Sequence, residues 1–291
     1  MVRSCVFGLL CALCAVSRLG AAPGAVQVLA RGPVHEAFAA PAMEPMATPI
    51  VPKAPPITLE ELPPGEKPEG DHVWIAGYWA WDDERNDYLW VSGTWRTAPP
   101  GKRWVGGYWY QEGNGWRWAP GFWVGDENQP AGAEITYLPA PPPPSEAAKP
   151  GPAPAPDSFF VPGHWVWAGN RYTWRAGYWG KVQPDHVWVP AHYRWSPGGH
   201  VFVPGYWDLA LARRGILHAP VAIDPALVEP AFVHTPTHAL QEAVALDSLF
   251  VRAAWSHYYF GDYYGPVYRE LGYESCILMS RKRYDPIFAH E

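Results

Sequence analysis

Between Trp74 and Trp207 aromatic residues recur at every second position in short bursts, as in Trp79-Ala80-Trp81 and Trp165-Val166-Trp167, with polar or turn-forming residues between bursts. A period of two marks a strand, because successive side chains leave a strand on opposite faces. A longer period is superposed on it. The pattern W-x-x-G-x-W occurs at Trp74–Trp79, Trp90–Trp95, Trp104–Trp109 and Trp118–Trp123, with Gly77, Gly93, Gly107 and Gly121 as its fourth residue. Four further copies follow a gap: Phe160–Trp165 with Gly163, Trp174–Trp179 with Gly177, Trp188–Tyr193 with Ala191 in the glycine's place, and Phe202–Trp207 with Gly205. First positions lie 14 residues apart within each set, except for 16 between the first two. Self-similarity at a fixed spacing makes the chain a repeat protein.

The turns between copies alternate in kind. After odd copies come Asp82–Asp87, Glu112–Gly115, Ala168–Arg171 and Ser196–Gly199, rich in Gly and Asn; after even copies come the Pro-containing Ala98–Gly101 and Val182–Asp185. Such alternation predicts an antiparallel up-and-down meander, each copy one strand. Counting outward from the turns pairs Trp79 with Trp90, Trp109 with Trp118, Trp165 with Trp174 and Tyr193 with Phe202. The same count pairs Trp74 with Trp95, Trp104 with Trp123, Phe160 with Trp179 and Trp188 with Trp207. Cross-strand aromatic pairs contribute roughly 0.5–1 kcal/mol each beyond buried area. The glycine is expected to leave a slot where a large indole lies flat; a bulge at the same position is the competing reading.

The copies resemble the WxxGxW (YxWGxW) repeat family of bacterial exported proteins, over about residues 72–209. The resemblance implies a cell-envelope or extracellular protein and brings no activity with it. The copy with Ala191 and Tyr193 departs from the pattern, so its strand is expected to pack less regularly.

Outside the repeats the patterning changes. Residues 1–22 begin with Met1-Val2-Arg3 and continue in an apolar run from Ser4 to about Ser17, which reads as a secretory signal peptide. The run is too short to span a bilayer. Residues 23–70, rich in Pro and Ala, predict a disordered tail. Residues 71–124 and 159–209 form two four-stranded repeat blocks, separated by a Pro-rich linker over 125–158 that contains the run Pro141–Pro144. Residues 210–291 predict short edge strands and a Tyr-rich cap.

Composition sharpens this picture. The chain of 291 residues has 18 Trp, 16 Tyr and 35 Pro, which disfavours long helices and favours a pleated surface. Cys5, Cys11 and Cys14 leave with the signal, so Cys276 alone remains and no intramolecular disulfide is available. A formal net charge of −6 argues against nucleic acid as a partner.

No G-x-S-x-G, H-E-x-x-H, Walker loop or paired Cys motif is present, so the sequence predicts no enzyme and no cofactor. His164 and His192 fall on strands two apart, roughly 9–10 Å from each other and too far to share a zinc ion. The acidic loop Asp82–Asp87 lacks the glycine and ligand spacing of a calcium loop. The aromatic rows carry the remaining question. One face of the second block, with Trp165, Trp174, Tyr178 and Tyr193, is nearly free of charge and expected inside. The other places His164, Arg175, His192 and Arg194 beside Trp179, Trp188 and Trp207. These seven form the candidate binding surface, since exposed indoles stack on sugars and three of them would make an interaction patch. The expected protein is all-β, exported and non-catalytic, with an interaction or structural role. Envelope proteins or a polysaccharide stacked on the outer Trp face are its candidate partners. An outer-membrane barrel fits less well, because both faces carry Trp and Pro120, Pro190 and Pro204 fall within strands.

Overall fold

The computed structural model describes residues 26–125, 135–145, 151–241, 248–281 and 284–287. The signal segment with its three cysteines lies outside the described residues. The described chain is all-β; its α-helices are the short Pro266–Glu270 and Cys276–Ser280.

The repeats fold as four hairpins, each made of two consecutive copies. In the first, Tyr78–Asp82 pairs with Asp87–Val91 at the turn end and His72–Ile75 pairs with Thr94–Thr97 at the open end. The second repeats this scheme with Tyr108–Glu112 on Gly115–Ala119 and Arg103–Val105 on Phe122–Val124. The third and fourth do so over Ser158–Lys181 and His186–Leu209. Each copy is therefore two short strands, interrupted at its glycine. All eight expected cross-strand aromatic pairs form, in the counted register. Their ring centroids lie 5.1–5.6 Å apart, most of them edge to face.

The register is the same on both sides of every interruption, so no bulge is inserted there. The glycine is required by close approach, not by its dihedral angles. A Cβ at Gly77 would stand 2.1 Å from the Val91 carbonyl oxygen and 2.7 Å from the Trp90 indole nitrogen. Gly93, Gly107, Gly121, Gly163, Gly177 and Gly205 meet the first aromatic residue of the partner copy in the same way, at 2.3–2.6 Å. At the turns the chain uses left-handed backbone instead, at Asn86, Gly101, Gly113, Gly169, Asn170, Asp185 and Gly199.

Among the described residues no ladder joins one hairpin to the next; the flanking segments supply the neighbours. Ile50–Val51 adds to Gly115–Ala119, Gly215–Ile216 adds to Thr94–Thr97, and Val221–Ile223 bridges Val26–Val28 to Asp87–Val91. Val221–Ile223 thus has a neighbour on each side and is not the edge strand its Pro-flanked pattern predicted. Val233–His234 runs parallel to Glu60–Glu61. A four-stranded sheet gathers Gly32–Pro33, His257–Phe260, Leu249–Arg252 and Tyr273–Ser275. Beneath it Val34, Phe38, Val251, Tyr258, Cys276 and Met279 form one core cluster. Trp79, Trp81, Trp90 and Trp118 form another with Leu59, Val221 and Trp255.

The N-terminal segment departs most from expectation. In place of a disordered tail over 23–70, residues 26–70 wind through the molecule, and Val34, His35, Glu36, Ala37 and Thr48 are buried. Apart from a turn closed by His35, whose carbonyl accepts from the Phe38 and Ala39 N–H groups, it forms only two-residue and three-residue strands, and its polar groups find partners in the hairpins. The linker is also partly engaged: Leu138 bridges His200, and Ser158 already belongs to a strand, whereas Pro141–Pro144 stay outside any sheet.

Candidate functional site

Interrupting a ladder at a glycine leaves backbone N–H groups without a strand partner, and buried donors must be satisfied from elsewhere. In the first hairpin the acceptor is Glu61. The Trp90 indole N–H donates to its Oε1 at 2.8 Å, the Gly77 N–H to Oε2 at 2.6 Å, and the Gly93 N–H to both oxygens at 3.1 Å. In the second hairpin Glu36 takes the equivalent place, accepting from the Trp118 indole at 2.9 Å and the Gly121 N–H at 2.8 Å. Each kink is thus a cradle for one carboxylate, built from an indole N–H and glycine amides. Burial raises the pKa of Glu61, and the bonds from Trp90, Gly77 and Gly93 oppose that rise.

The third hairpin carries the same donors at Trp174, Gly163 and Gly177. Trp174 lies across Gly163 as Trp90 lies across Gly77, with an indole carbon 2.6 Å from where a Cβ on Gly163 would stand. Gly163 and Trp174 line a cleft of about 520 Å³, together with Pro141–Pro144, Trp165, Tyr193 and Glu44. The aromatic residues of this hairpin hold the proline run: the Trp165 indole donates to the Pro143 carbonyl at 2.9 Å, and the Tyr172 hydroxyl donates to Pro139 at 2.5 Å. His164, His192 and His200 face the cleft. Burial lowers the pKa of all three, helped by Arg175 at His164 and by Arg194 at His192, which is pushed down to about 3. They are neutral at neutral pH.

The seven residues expected on one outer face are distributed differently. Arg175 is exposed and stands opposite His164 in the ladder. Arg194, by contrast, is only 6% exposed and feels the charge of Glu36, so it belongs to the interior. His192 and Arg194 line a small internal cavity beside Glu36. Trp188 pairs edge to face with Trp207, which also meets Phe159, and the Trp188 indole nitrogen is buried. Trp179 is half-buried against Phe160. On the face expected inside, Tyr178 is 49% exposed. The sequence reading missed Glu36 and Glu61, which sit in segments with no periodic pattern. The one available signal was that several glutamates fall inside the Pro-rich stretch of residues 23–70, with nothing to single out these two.

Among the described residues no group of three or more His, Cys, Asp or Glu is arranged to hold a metal ion. No described helix is long and apolar enough to cross a membrane. No curated protein and no solved structure matches the chain. A family model, the WXXGXW repeat (2 copies), matches residues 71–96, 103–124, 160–179 and 184–207, each stretch falling within one hairpin. The four hairpins between residues 71 and 207 are WXXGXW repeats, and it is to that repeat family that this part of the chain belongs.

Proposed function

We propose that the protein is a non-catalytic interaction protein, exported to the cell envelope or the extracellular matrix, and that the third hairpin carries its binding cleft. The observation that supports this reading is the cleft itself: an opening of about 520 Å³ walled by Trp165, Trp174 and Tyr193, with a proline run already seated on the aromatic side chains. Clefts of this size lined by aromatic groups and a few polar donors are built for binding. Export rests on the basic start and apolar run of residues 1–22.

Retention of the purified chain on envelope preparations tests both parts. The protein is expected to be retained, and protease treatment of the envelopes is expected to abolish retention. An N-terminus still at Met1 in protein recovered from the envelope fraction would contradict export with cleavage. A second reading, carbohydrate binding, draws on the exposed Tyr178 and Arg175 near the half-buried Trp179. Loss of retention after glycan digestion, with protease without effect, would put that reading first.

A further inference from the structure

Three of the four hairpins own the same set of donors, and in two of them a glutamate fills it. Glu61 reaches the first from 29 residues before Trp90, and Glu36 reaches the second from 82 residues before Trp118. In the third, the Trp174 indole N–H and the Gly177 N–H have no acceptor among the described residues, although the neighbouring Trp165 and Tyr172 have theirs. The fourth hairpin has lost the set: Phe202 stands where the donating indole would be, and Ala191 where the glycine would be. The third cradle alone therefore combines intact donors, no described acceptor and an open cleft.

We infer that the third hairpin binds a glutamate side chain presented by an extended, proline-rich segment of a partner protein. The carboxylate would accept from Trp174 Nε1 and Gly177 N, as Glu36 does from Trp118 and Gly121. Two observations choose a peptide over another source of carboxylate. The fullest cradle, with four bonds to one carboxylate, holds a glutamate from an extended segment that runs into Pro63 and Pro64, whereas Glu36 comes from a turn three residues after Pro33. The cleft is also walled by aromatic residues that already bind proline carbonyls, and an extended proline-rich chain arrives with little entropy left to lose. Glu44 in the cleft's lining opposes an anionic guest, and the exposed Arg175, opposite His164 in the ladder, offsets it only from outside that lining. This inference rests on the interaction reading above and names the guest of the same cleft.

The test uses the full chain and a synthetic peptide with the sequence of residues 57–64, Ile57 to Pro64, which carries a glutamate in its native context. In chain labelled with nitrogen-15 at tryptophan, peptide addition is expected to move the Trp174 indole N–H resonance downfield. A peptide with Gln at both glutamates is expected to bind at least tenfold more weakly, since the acceptor loses its charge and one of its two oxygens is replaced by an NH2 that faces a donor. Trp174→Phe copies the residue at Phe202 and removes the donor while keeping a ring; it is expected to weaken binding by about tenfold or more. The resonance experiment needs no variant, so a misfolded Trp174→Phe leaves the decision intact. E44Q removes the like charge and is expected to tighten binding. Equal binding of the Glu and Gln peptides would overturn the inference, as would a Trp174 resonance that moves with oligogalacturonate and not with peptide. An E44Q chain whose Trp174 resonance moves upfield without peptide would show that Glu44 already fills the cradle, and would equally overturn it. Envelope retention that survives while the peptide fails to bind would sink this inference and leave the interaction reading standing.

Discussion

At the scale of the residue, the repeat glycines differ in what they exclude. Gly77 has no room for a Cβ, whereas Gly113, at φ +60°, has nothing within 4 Å of one and is held only by its backbone conformation. Gly77→Ala must displace the Trp90 ring or a carbonyl group and is expected to cost upward of about 3 kcal/mol. Gly113→Ala is expected to cost about 1–2 kcal/mol, the penalty of a left-handed alanine. Urea denaturation of both variants checks the ordering, and equal costs would contradict the packing role. A second residue couples the molecule to pH. His35 is buried, its Nδ1 accepts from the Ala37 N–H at 3.1 Å, and its Nε2 lies 3.1 Å from the Ala76 carbonyl oxygen. That pair of bonds needs the neutral ring with its proton on Nε2. Burial, with His257 beside it, depresses its pKa to about 4. The unfolded chain therefore binds more protons than the folded one between pH 6.5 and 4, so His35's contribution is present above pH 6.5 and is lost as pH falls through that window. The loss is on the order of 3 kcal/mol. Glu61, raised by burial, works in the opposite sense. Comparing the pH dependence of wild type with that of His35→Gln separates the two, and the variant is expected to lose the steeper part of the acid limb.

At the scale of the element, a hairpin of two copies is the unit, and its register was legible because it is a local property. The turns at Gly113 and Asn170 lie within a few residues of the pairs they set, so Trp109 opposite Trp118 and Trp165 opposite Trp174 follow from counting. What fills the kink was not legible. Glu36 accepts from Gly121 across 85 residues, from a stretch whose composition resembles that of a disordered chain. Arg194 misled for a related reason. A charged residue in strand alternation reads as solvent-facing, but here it lies in the interior with Glu36 nearby. The kinks differ in a way hydrogen exchange can read. The amides of Gly77, Gly93 and Gly121 donate to buried carboxylates and are expected to be protected, whereas that of Gly177 has no acceptor among the described residues. Gly177 is expected to exchange orders of magnitude faster than Gly93 although its neighbours in the ladder are equally paired. Matching protection at the two glycines would mean that the third cradle is filled.

At the scale of the whole molecule, the repeats do not stand alone. Because no described ladder links one hairpin to the next, the connection is made by side chains and by the flanking segments. Apolar clusters join Trp90 to Trp118 and Phe122 to Val203, the Trp109 indole N–H donates to the Trp79 carbonyl, and buried charge adds to these. Asp208, at the end of the fourth hairpin, accepts two bonds from the guanidinium of Arg96 in the first, at 2.5 and 2.7 Å. It also lies 3.2 Å from Arg214, whose other nitrogen donates to the Phe38 carbonyl at 2.8 Å. Arg96 donates in addition to the Ala37 carbonyl. One carboxylate therefore ties both repeat blocks and the N-terminal segment together, and the side chains of Arg96 and Arg214 are 0% and 3% exposed. Removing it takes away the carboxylate that pairs with both buried guanidinium groups. Asp208→Ala is expected to cost about 3–5 kcal/mol, the usual penalty for stranding a buried charge. Since the network joins all parts, that loss should fall on the whole chain, with circular dichroism and Trp fluorescence still reporting one coincident transition at lower denaturant. If the fourth hairpin instead melted early while the first kept its fluorescence, the blocks would be independent and Asp208 a local contact.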